Sequence, residues 1–300
     1  MNIKIKALEN APFGAEVFGI DLSEKISDAD YKLLDEAWQE NIVLVLHKQA
    51  ISEDDLIRYS EHFGKLETVV RTDVLSPYSG YVAYMTNNIR DKNGKAIGGL
   101  DSAEVDWHSD QAYLSNPATG AIFHGLEVPP NAGKTYFANQ YMAYENLADD
   151  VKEMLEGRIG NFSYSHRMAL YYPDTLKNNA EILAKAPDVL HPIVMNNPVT
   201  GRKALYADPS TVNQIIGLSE ADNKHALAEI KKQAINPEIV YAHNWRHGDI
   251  IMWDNGSSLH KRDTFDESLI RFMKRTTIFL PRDKYIVPPF DQNHEGFIAA

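Results

Sequence analysis

Cysteine is absent from this chain of 300 residues, and its absence removes several kinds of chemistry at once. A protein without thiols has no disulfides, thiolate metal sites, iron–sulfur clusters or cysteine nucleophile. The sequence also lacks a run of about 18 consecutive apolar residues, and its first residues do not contain the apolar stretch of a signal peptide. We therefore expect a cytoplasmic protein that does not enter a membrane.

Basic residues are outnumbered by acidic ones, 30 against 42, which gives a formal net charge of −12. A charge of this sign disfavours a protein that grips nucleic acid, so we expect no nucleic-acid partner. Glycine-rich nucleotide loops are missing too, since neither GxGxxG nor GxxxxGK followed by Ser or Thr occurs. The hydrophobic fraction of 44% is ordinary for a globular protein and excludes disorder as the main state.

The chain contains more short strand patterns than helix patterns. Ser27, Ser52 and Ser219 each have an aspartate three residues later, which predicts a helix after each of them. Much of the remainder forms short apolar stretches, such as 120–128 and 271–280, and many of these are separated by Pro, Gly or Asn. Strands do not alternate with helices, so we predict one mainly β domain over 1–300, a barrel or sandwich with flanking helices.

Eleven histidines in a chain without cysteine direct attention to metal sites with nitrogen and oxygen ligands. The most suggestive string is Asp106-Trp107-His108-Ser109-Asp110. In an extended segment, His108 and Asp110 point to the same face. They would then supply two ligands of a 2-His-1-carboxylate triad, which suits Fe(II) because it leaves coordination positions open for a cosubstrate and oxygen.

The spacing alone is a weak signal, because His-x-Asp occurs twice in the sequence. The second copy, His247-Gly248-Asp249, leads into an apolar strand, and a turn or cap explains it. The first copy has downstream companions that fit one chemistry, namely Thr135, His260, Arg271 and Arg275.

Ordered motifs along nearly the whole chain identify a family resemblance. The sequence resembles the taurine dioxygenase and 2,4-dichlorophenoxyacetate dioxygenase (TauD/TfdA) family, which are Fe(II)- and 2-oxoglutarate-dependent oxygenases with a double-stranded β-helix (jelly-roll) core. The motifs that carry this resemblance are Gly14-Ala15-Glu16-Val17, Gly19-Ile20-Asp21-Leu22, Phe63-Gly64-Lys65-Leu66, Trp107-His108-Ser109-Asp110, Gly133-Lys134-Thr135, Trp253-Asp254-Asn255, His260 and the Arg271/Arg275 pair.

The resemblance implies a role for each matching residue. His108, Asp110 and His260 would bind iron and form the catalytic centre. Thr135 and Arg271 would hold the distal carboxylate of 2-oxoglutarate, where the planar fork of a guanidinium suits a carboxylate. Arg275 lies on the same strand face as Arg271, and two cations inside a barrel would be costly unless anions met them.

The resemblance therefore implies an enzyme that couples conversion of 2-oxoglutarate and O2 to succinate and CO2 with oxidation, most simply hydroxylation, of a small anionic substrate. Arg275 would bind the anionic group, although it would alternatively support only the 2-oxoglutarate site. Tyr113, Asn87 and Asn88 are further candidates for substrate contacts. The polar segment 87–106 is expected to be an active-site lid.

Several alternatives stay open at this point. The same ligands would support desaturation or cyclisation. A jelly-roll binding or sensor protein without turnover is another class, and a zinc or manganese hydrolase or isomerase of the cupin type is a third, although it leaves Thr135 and Arg271 without a purpose. The tyrosine-rich segment 164–172 would line a substrate pocket or simply pack. The sequence determines neither the substrate nor whether the chain forms a homo-oligomer.

Overall fold

The computed structural model describes residues 2–69, 74–90, 93, 96–98, 102–171 and 187–289. Three helices begin where capping signals predict them. Ser27 and Ser219 each accept a hydrogen bond from the backbone N–H three residues later, and Ser52 forms a reciprocal capping box with Asp55. The described helices are α1 (Asp28–Asn41), α2 (Glu53–Glu61), α3 (Gln140–Glu145), α4 (Asp149–Leu155), α5 (Tyr164–Tyr171) and α6 (Glu220–Ala234).

Strands form most of the remaining framework. They are β1 (Lys4–Ala7), β2 (Ala15–Phe18), β3 (Val43–Leu46), β4 (Lys65–Leu66), β5 (Ala83–Thr86), β6 (Ile89–Arg90), β7 (Ala96–Ile97), β8 (Val105–His108), β9 (Gly120–Glu127), β10 (Thr135–Asn139), β11 (Ile159–Phe162), β12 (Val189–Pro192), β13 (Val194–Asn196), β14 (Lys203–Leu205), β15 (Val212–Ile215), β16 (Val240–His243), β17 (Ile250–Asp254), β18 (Ser258–Arg262) and β19 (Phe272–Phe279).

Two sheets build the core. The larger has the order β1-β2-β3-β17-β9-β19-β4, with β5 also paired to β19, and the smaller has the order β16-β10-β18-β8. Their facing sides enclose one apolar cluster, in which Phe123 and Trp253 from the large sheet meet Phe137 from the small sheet. Helices α1 and α2 cover the other face of the large sheet through Trp38 and Tyr59. This arrangement is the mainly β jelly roll with flanking helices that was predicted.

Some elements were not predicted, for physical reasons. Helices α3, α4 and α5 are too short to give a clear helical period. Strand β18 has the mostly polar sequence Ser-Leu-His-Lys-Arg, and it is a strand because β10 and β8 pair with its two edges. Tertiary pairing, rather than local composition, determines its conformation.

The predicted lid is only partly described. Within 87–106, strands β6 and β7 form a short antiparallel pair, while residues 91, 92, 94, 95 and 99–101 lie outside the described residues, as does Tyr172 of the tyrosine-rich segment. Across the part of the chain that the structure describes, no helix combines the length and the apolar character needed to cross a bilayer.

Candidate metal centre and active site

The two predicted histidine ligands lie on adjacent strands of the small sheet. His108 ends β8, His260 lies in the middle of β18, and the two residues are direct partners in the antiparallel register. Their rings are therefore close, with centroids 4.2 Å apart. Asp110 follows two residues after His108, beyond the end of β8. Backbone pairing thus brings together ligands that are far apart in sequence.

The three side chains surround a common centre without bonding to one another. Asp110 Oδ1 lies 3.8 Å from His108 Nε2, and Asp110 Oδ2 lies 3.7 Å from His260 Nε2. These separations are too long for hydrogen bonds. One donor atom from each residue lies within 4.8 Å of the others, a spacing that allows all three to hold one metal ion. The side chains are only 10–13% exposed.

Both imidazoles are in the form that binds a metal. His108 Nδ1 lies 2.7 Å from the carbonyl oxygen of Asp106, to which it donates, so the lone pair of Nε2 faces the centre. Among the described residues, His260 Nδ1 has no such acceptor, and its ring is instead held against Trp253 and Phe137. Burial lowers the pKa of His108 to about 3 and that of His260 to about 4, so both rings are neutral at physiological pH.

Asp110 is kept ionised by its neighbours. Arg275 Nη2 donates to Asp110 Oδ2 at 2.7 Å, and Asn255 Nδ2 donates to the same oxygen at 3.3 Å. Burial raises the pKa of Asp110, but the charge of Arg275 acts against this as the largest lowering influence, and the pKa lies below its usual value. The structure therefore places Arg275, the predicted substrate residue, directly beside a predicted metal ligand.

Arg271 is a buried cation that meets no carboxylate among the described residues. It lies just before β19, is 2% exposed, and its Nε has no hydrogen-bond partner in this part of the chain. Burial and then the charge of Arg262 lower the pKa of Arg271 to about 9, so the guanidinium remains protonated at neutral pH. A buried charge of this kind is expected where an anionic ligand binds.

Trp245 connects Arg271 with Thr135, and sequence reasoning did not find it. Its Nε1 donates to Thr135 Oγ1 at 2.9 Å, and its ring centroid lies 6.0 Å from the Arg271 guanidinium. Because the Thr135 oxygen accepts from Trp245, its own hydrogen is available to an acceptor elsewhere. The arrangement offers a hydroxyl donor and a guanidinium fork, which fits the distal carboxylate of 2-oxoglutarate.

The other predicted contacts occupy different positions. The Asn87 amide is bonded on both sides, accepting from Arg271 N at 2.9 Å and donating to Leu269 O at 2.8 Å, so it fixes the segment before β19. Asn88 is exposed. The Tyr113 ring lies 4.7 Å from that of Tyr164, and burial raises the pKa of Tyr113 to about 12. Of these three, Tyr113 has the surroundings of a pocket residue.

Helix α5 adds a cation that the sequence did not assign to the site. The charge of Arg167 contributes, after burial, to the lowered pKa values of His108 and His260, so the guanidinium lies near the metal centre. It donates to Ser210 Oγ, and Tyr171 OH donates to Asp106 Oδ2 at 2.9 Å. These bonds fasten α5 beside β8, which favours the pocket interpretation of the tyrosine-rich segment.

Comparison with known proteins agrees with this geometry. The profile of the family described as "Taurine catabolism dioxygenase TauD, TfdA family" matches residues 4–277. The chain belongs to this TauD/TfdA family. The predicted resemblance is therefore confirmed, and so is the enzyme class of 2-oxoglutarate-dependent dioxygenases, which use 2-oxoglutarate and O2. The two alternatives from other classes, a cupin-type hydrolase or isomerase and a sensor without turnover, would not have this family's activity. Membership of the family therefore disfavours both.

Individual relatives in the family cover almost the whole chain. Pentalenolactone F synthase from Streptomyces avermitilis is 30% identical over 92% of this chain and 94% of its own length. The α-ketoglutarate-dependent 2,4-dichlorophenoxyacetate dioxygenase of Cupriavidus pinatubonensis is 30% identical over 88% of this chain and 94% of its own. The crystal structure of AAD-2 in complex with Mn(II) and N-oxalylglycine is 26% identical, with a TM-score of 0.76, and covers 96% of this chain and 100% of that one.

Proposed function

We propose that this protein is an Fe(II)- and 2-oxoglutarate-dependent dioxygenase that hydroxylates a small anionic organic substrate and releases succinate and CO2. The observation that carries the proposal is the triad of His108, Asp110 and His260, whose side chains converge without bonding to one another. The buried Arg271, which meets no carboxylate among the described residues, supports it. Two imidazoles and one carboxylate are a ligand set that suits Fe(II). Mn(II) in the AAD-2 crystal structure is compatible with a metal of this kind in a related site.

Each residue has a defined task in this proposal. His108, Asp110 and His260 hold the metal, while Arg271 and the Thr135 hydroxyl hold the distal carboxylate of 2-oxoglutarate. Bound Fe(II) together with 2-oxoglutarate supplies the activation of O2 and the oxidising power. The chain itself orients the ligands and keeps water out.

Water is kept out by buried aromatic rings that line the barrel interior. These rings belong to Phe123, Phe137 and Trp253. Trp253 Nε1 also donates to Asn255 Oδ1 at 2.8 Å, and Asn255 in turn donates to Asp110. The same residues thus limit the access of water and fix the direction of the carboxylate ligand.

Arg275 is the residue to which we assign the anionic group of the substrate. Its guanidinium lies inside the barrel over the rings of Phe123 and Trp253, and its Nε has no partner among the described residues. The 2,4-dichlorophenoxyacetate of the Cupriavidus relative's name is a carboxylate, which supports a substrate of this class. In the competing view, Arg275 serves only to orient Asp110.

The remaining features of the proposal follow from the sequence. Tyr113 and the exposed Asn88 are kept as substrate contacts, and Asn87 acts through its hold on Arg271. Segment 87–106 is kept as a lid over a single domain. We further propose a cytoplasmic protein, a monomer or a homo-oligomer, that has no nucleic-acid or membrane partner. Desaturation or cyclisation would require the same residues, because the outcome depends on where the reacting carbon lies.

Succinate formation tests the proposal. The protein is supplied with Fe(II), ascorbate, O2 and 2-oxoglutarate, together with small carboxylates, aryloxyacids, sulfonates and their neutral analogues. We expect anionic members to stimulate succinate release, and a product heavier by one oxygen atom indicates hydroxylation, whereas loss of two hydrogens indicates desaturation or cyclisation. Metal-dependent turnover without succinate would contradict the reaction class. Neutral compounds that stimulate turnover equally in Arg275→Ala would contradict the anionic substrate.

A further inference from the structure

Glu67 places a carboxyl group on the inner face of the barrel, close to Arg275. It directly follows β4, and its backbone N–H donates to the carbonyl of Thr277 on β19 at 2.9 Å. Residues directly opposite in an antiparallel pair project to the same face, and Arg275 shares that face with Thr277. The alternate residues Lys274 and Thr276 bond instead to Glu53 and Ser60 of α2.

The Glu67 carboxyl is held in place by Gln111, the residue that follows the metal ligand Asp110. Gln111 Nε2 donates to Glu67 Oε1 at 2.6 Å, and Gln111 Oε1 accepts from Ala118 N at 2.9 Å. Gln111 has a φ of 57°, in the left-handed region that is unfavourable for a side chain of this kind. The two hydrogen bonds of the Gln111 amide, one at each end, thus fix Glu67 relative to Asp110.

The second carboxylate oxygen of Glu67 is available to a ligand. Among the described residues, no group donates a hydrogen bond to Oε2, since Arg275 donates to Asp110 instead. The pairing with Thr277 and the hydrogen bond from Gln111 place this carboxyl on the side of β19 that carries Arg275. Glu67 is only partly buried and its Oε2 stays accessible, so a donor group of a ligand can reach it.

We propose that Glu67 is a specificity-determining residue whose Oε2 accepts a hydrogen bond from an O–H or N–H group of the substrate. The proposal rests on the proposed function and deepens it: the substrate is a small acid that carries a hydroxyl or ammonium group in addition to its anionic group. Arg275 and Arg167 are donors only, whereas an ionised carboxylate is an acceptor only. The pocket therefore complements a molecule with both an acceptor end and a donor group.

Matched triplets of ligands test this inference. Each triplet consists of an unbranched alkanoate, its hydroxy derivative and its amino derivative of equal chain length. Binding to the protein with Fe(II) and 2-oxoglutarate is measured by calorimetry without oxygen, and succinate release is measured with oxygen. We expect a donor-bearing member to bind about tenfold more tightly than its alkanoate, the size of one charge-assisted hydrogen bond. Which member is preferred separates a hydroxyl from an ammonium donor.

The isosteric change Glu67→Gln should reduce this preference to about twofold or less. The effect should lie in the KM of the donor-bearing substrate, while the absorption band of the Fe(II)–2-oxoglutarate complex stays unchanged. Glu61→Gln, the same change at an exposed residue of α2, is the matched control and should keep the full preference.

Two results would overturn the inference. One is equal affinity within every triplet in the wild type, whether the binding is tight or undetectable. The other is a preference that survives in Glu67→Gln. If the wild type shows neither the absorption band nor succinate release, the proposed function itself fails, whereas a normal band with equal affinities rejects only the role of Glu67.

Discussion

Two groups of two histidines and one aspartate lie in this molecule, and they are built in opposite ways. In the open cluster, His108, Asp110 and His260, the nearest Nε2 to carboxylate distances are 3.7 and 3.8 Å. In the closed cluster, His47, Asp249 and His243, the Asp249 oxygens lie 2.6 Å from His47 Nδ1 and 3.0 Å from His243 Nε2. The same residue types thus make a ligand site in one place and a hydrogen-bonded network in the other.

The difference lies in the partners of the ring nitrogens. In the closed cluster, His47 Nε2 meets Glu16 at 3.1 Å and His243 Nδ1 meets the Tyr241 hydroxyl at 2.7 Å, so every ring nitrogen is bonded. Asp249 leads into β17 of the large sheet, while His243 ends β16 of the small one, so the network joins the two sheets. The comparison teaches that residue type alone does not make a metal site. In the candidate metal site, ligand atoms of all three residues converge on one point without bonding to one another.

Removing a ligand of the open cluster should have the largest effect. His108→Ala, Asp110→Ala and His260→Ala are each expected to abolish most Fe(II) binding and, with it, turnover, because each leaves only two ligands. Anaerobic Fe(II) titration, followed through the absorption band of the 2-oxoglutarate complex, measures this. His47→Ala and His247→Ala are the controls and should keep the full band. A full band in His260→Ala with loss in His247→Ala would reverse the assignment.

Asp249→Ala should have the opposite signature, loss of stability with retention of metal binding. It leaves two histidines without their shared acceptor, and a buried hydrogen-bonding group left unsatisfied costs about 1–3 kcal/mol. Urea unfolding of the metal-free proteins gives this free energy. The exposed Asp283→Ala should change it by about 0.5 kcal/mol or less. A stable Asp249→Ala protein that has lost Fe(II) binding would remove the distinction between the clusters.

The open region also contains Arg271, and its substitution should affect the cosubstrate. Arg271→Ala is expected to raise the KM for 2-oxoglutarate about tenfold or more, since a charge-assisted pair is lost. Thr135→Ala and Trp245→Phe should each raise it about fivefold, as expected for one neutral hydrogen bond of about 1 kcal/mol. Arg282→Ala, at an exposed position, is the control. Unchanged KM values in all three variants would show that these residues do not bind 2-oxoglutarate.

The smallest expected effect is a pH dependence that belongs to the closed cluster. The hydrogen bond to Asp249 raises the pKa of His47 even though burial lowers it. Its stabilisation is therefore complete below about pH 6.5, the unfolded value, and is lost as the pH rises through the folded pKa. The Tm difference between wild type and His47→Gln, about 2 °C at pH 6, should shrink towards pH 9. A difference that grows with pH would contradict this sign.

Local signals in the sequence predicted what local chemistry determines. The caps at Ser27, Ser52 and Ser219 fixed the starts of three helices, and the spacing of His108 and Asp110 placed both on one side of the metal centre. His260 entered through the family resemblance, since its partnership with His108 depends on the pairing of β18 with β8. That pairing leaves no trace in nearby residues.

The closed cluster was not predictable for the same reason. His47, His243 and Asp249 belong to different strands or strand ends, and His47 has no partner nearby in the sequence. The string His247-Gly248-Asp249 was correctly interpreted as a turn, because Gly248 has a φ of 78° and Asp249 N donates to Arg246 O. Its contacts with His47, which is 202 residues away in sequence, and with His243 required the folded sheets. Trp245 and Glu67 were missed for the same reason, because their partners are remote in sequence.

The ladder of β10, β18 and β8 carries Thr135, His260 and His108 as neighbours in one hydrogen-bonded sheet. Helix α5, by contrast, is attached to this ladder through side chains such as Tyr171. The two predicted histidine ligands are therefore fixed by backbone pairing in the sheet, whereas α5 is held by side-chain contacts. Exchange of α5 with that of a relative should leave the proposed metal ligands in place, because none of them lies on this helix. In such a fold, the residues that contact the substrate can change during evolution while the residues of the proposed metal site stay the same.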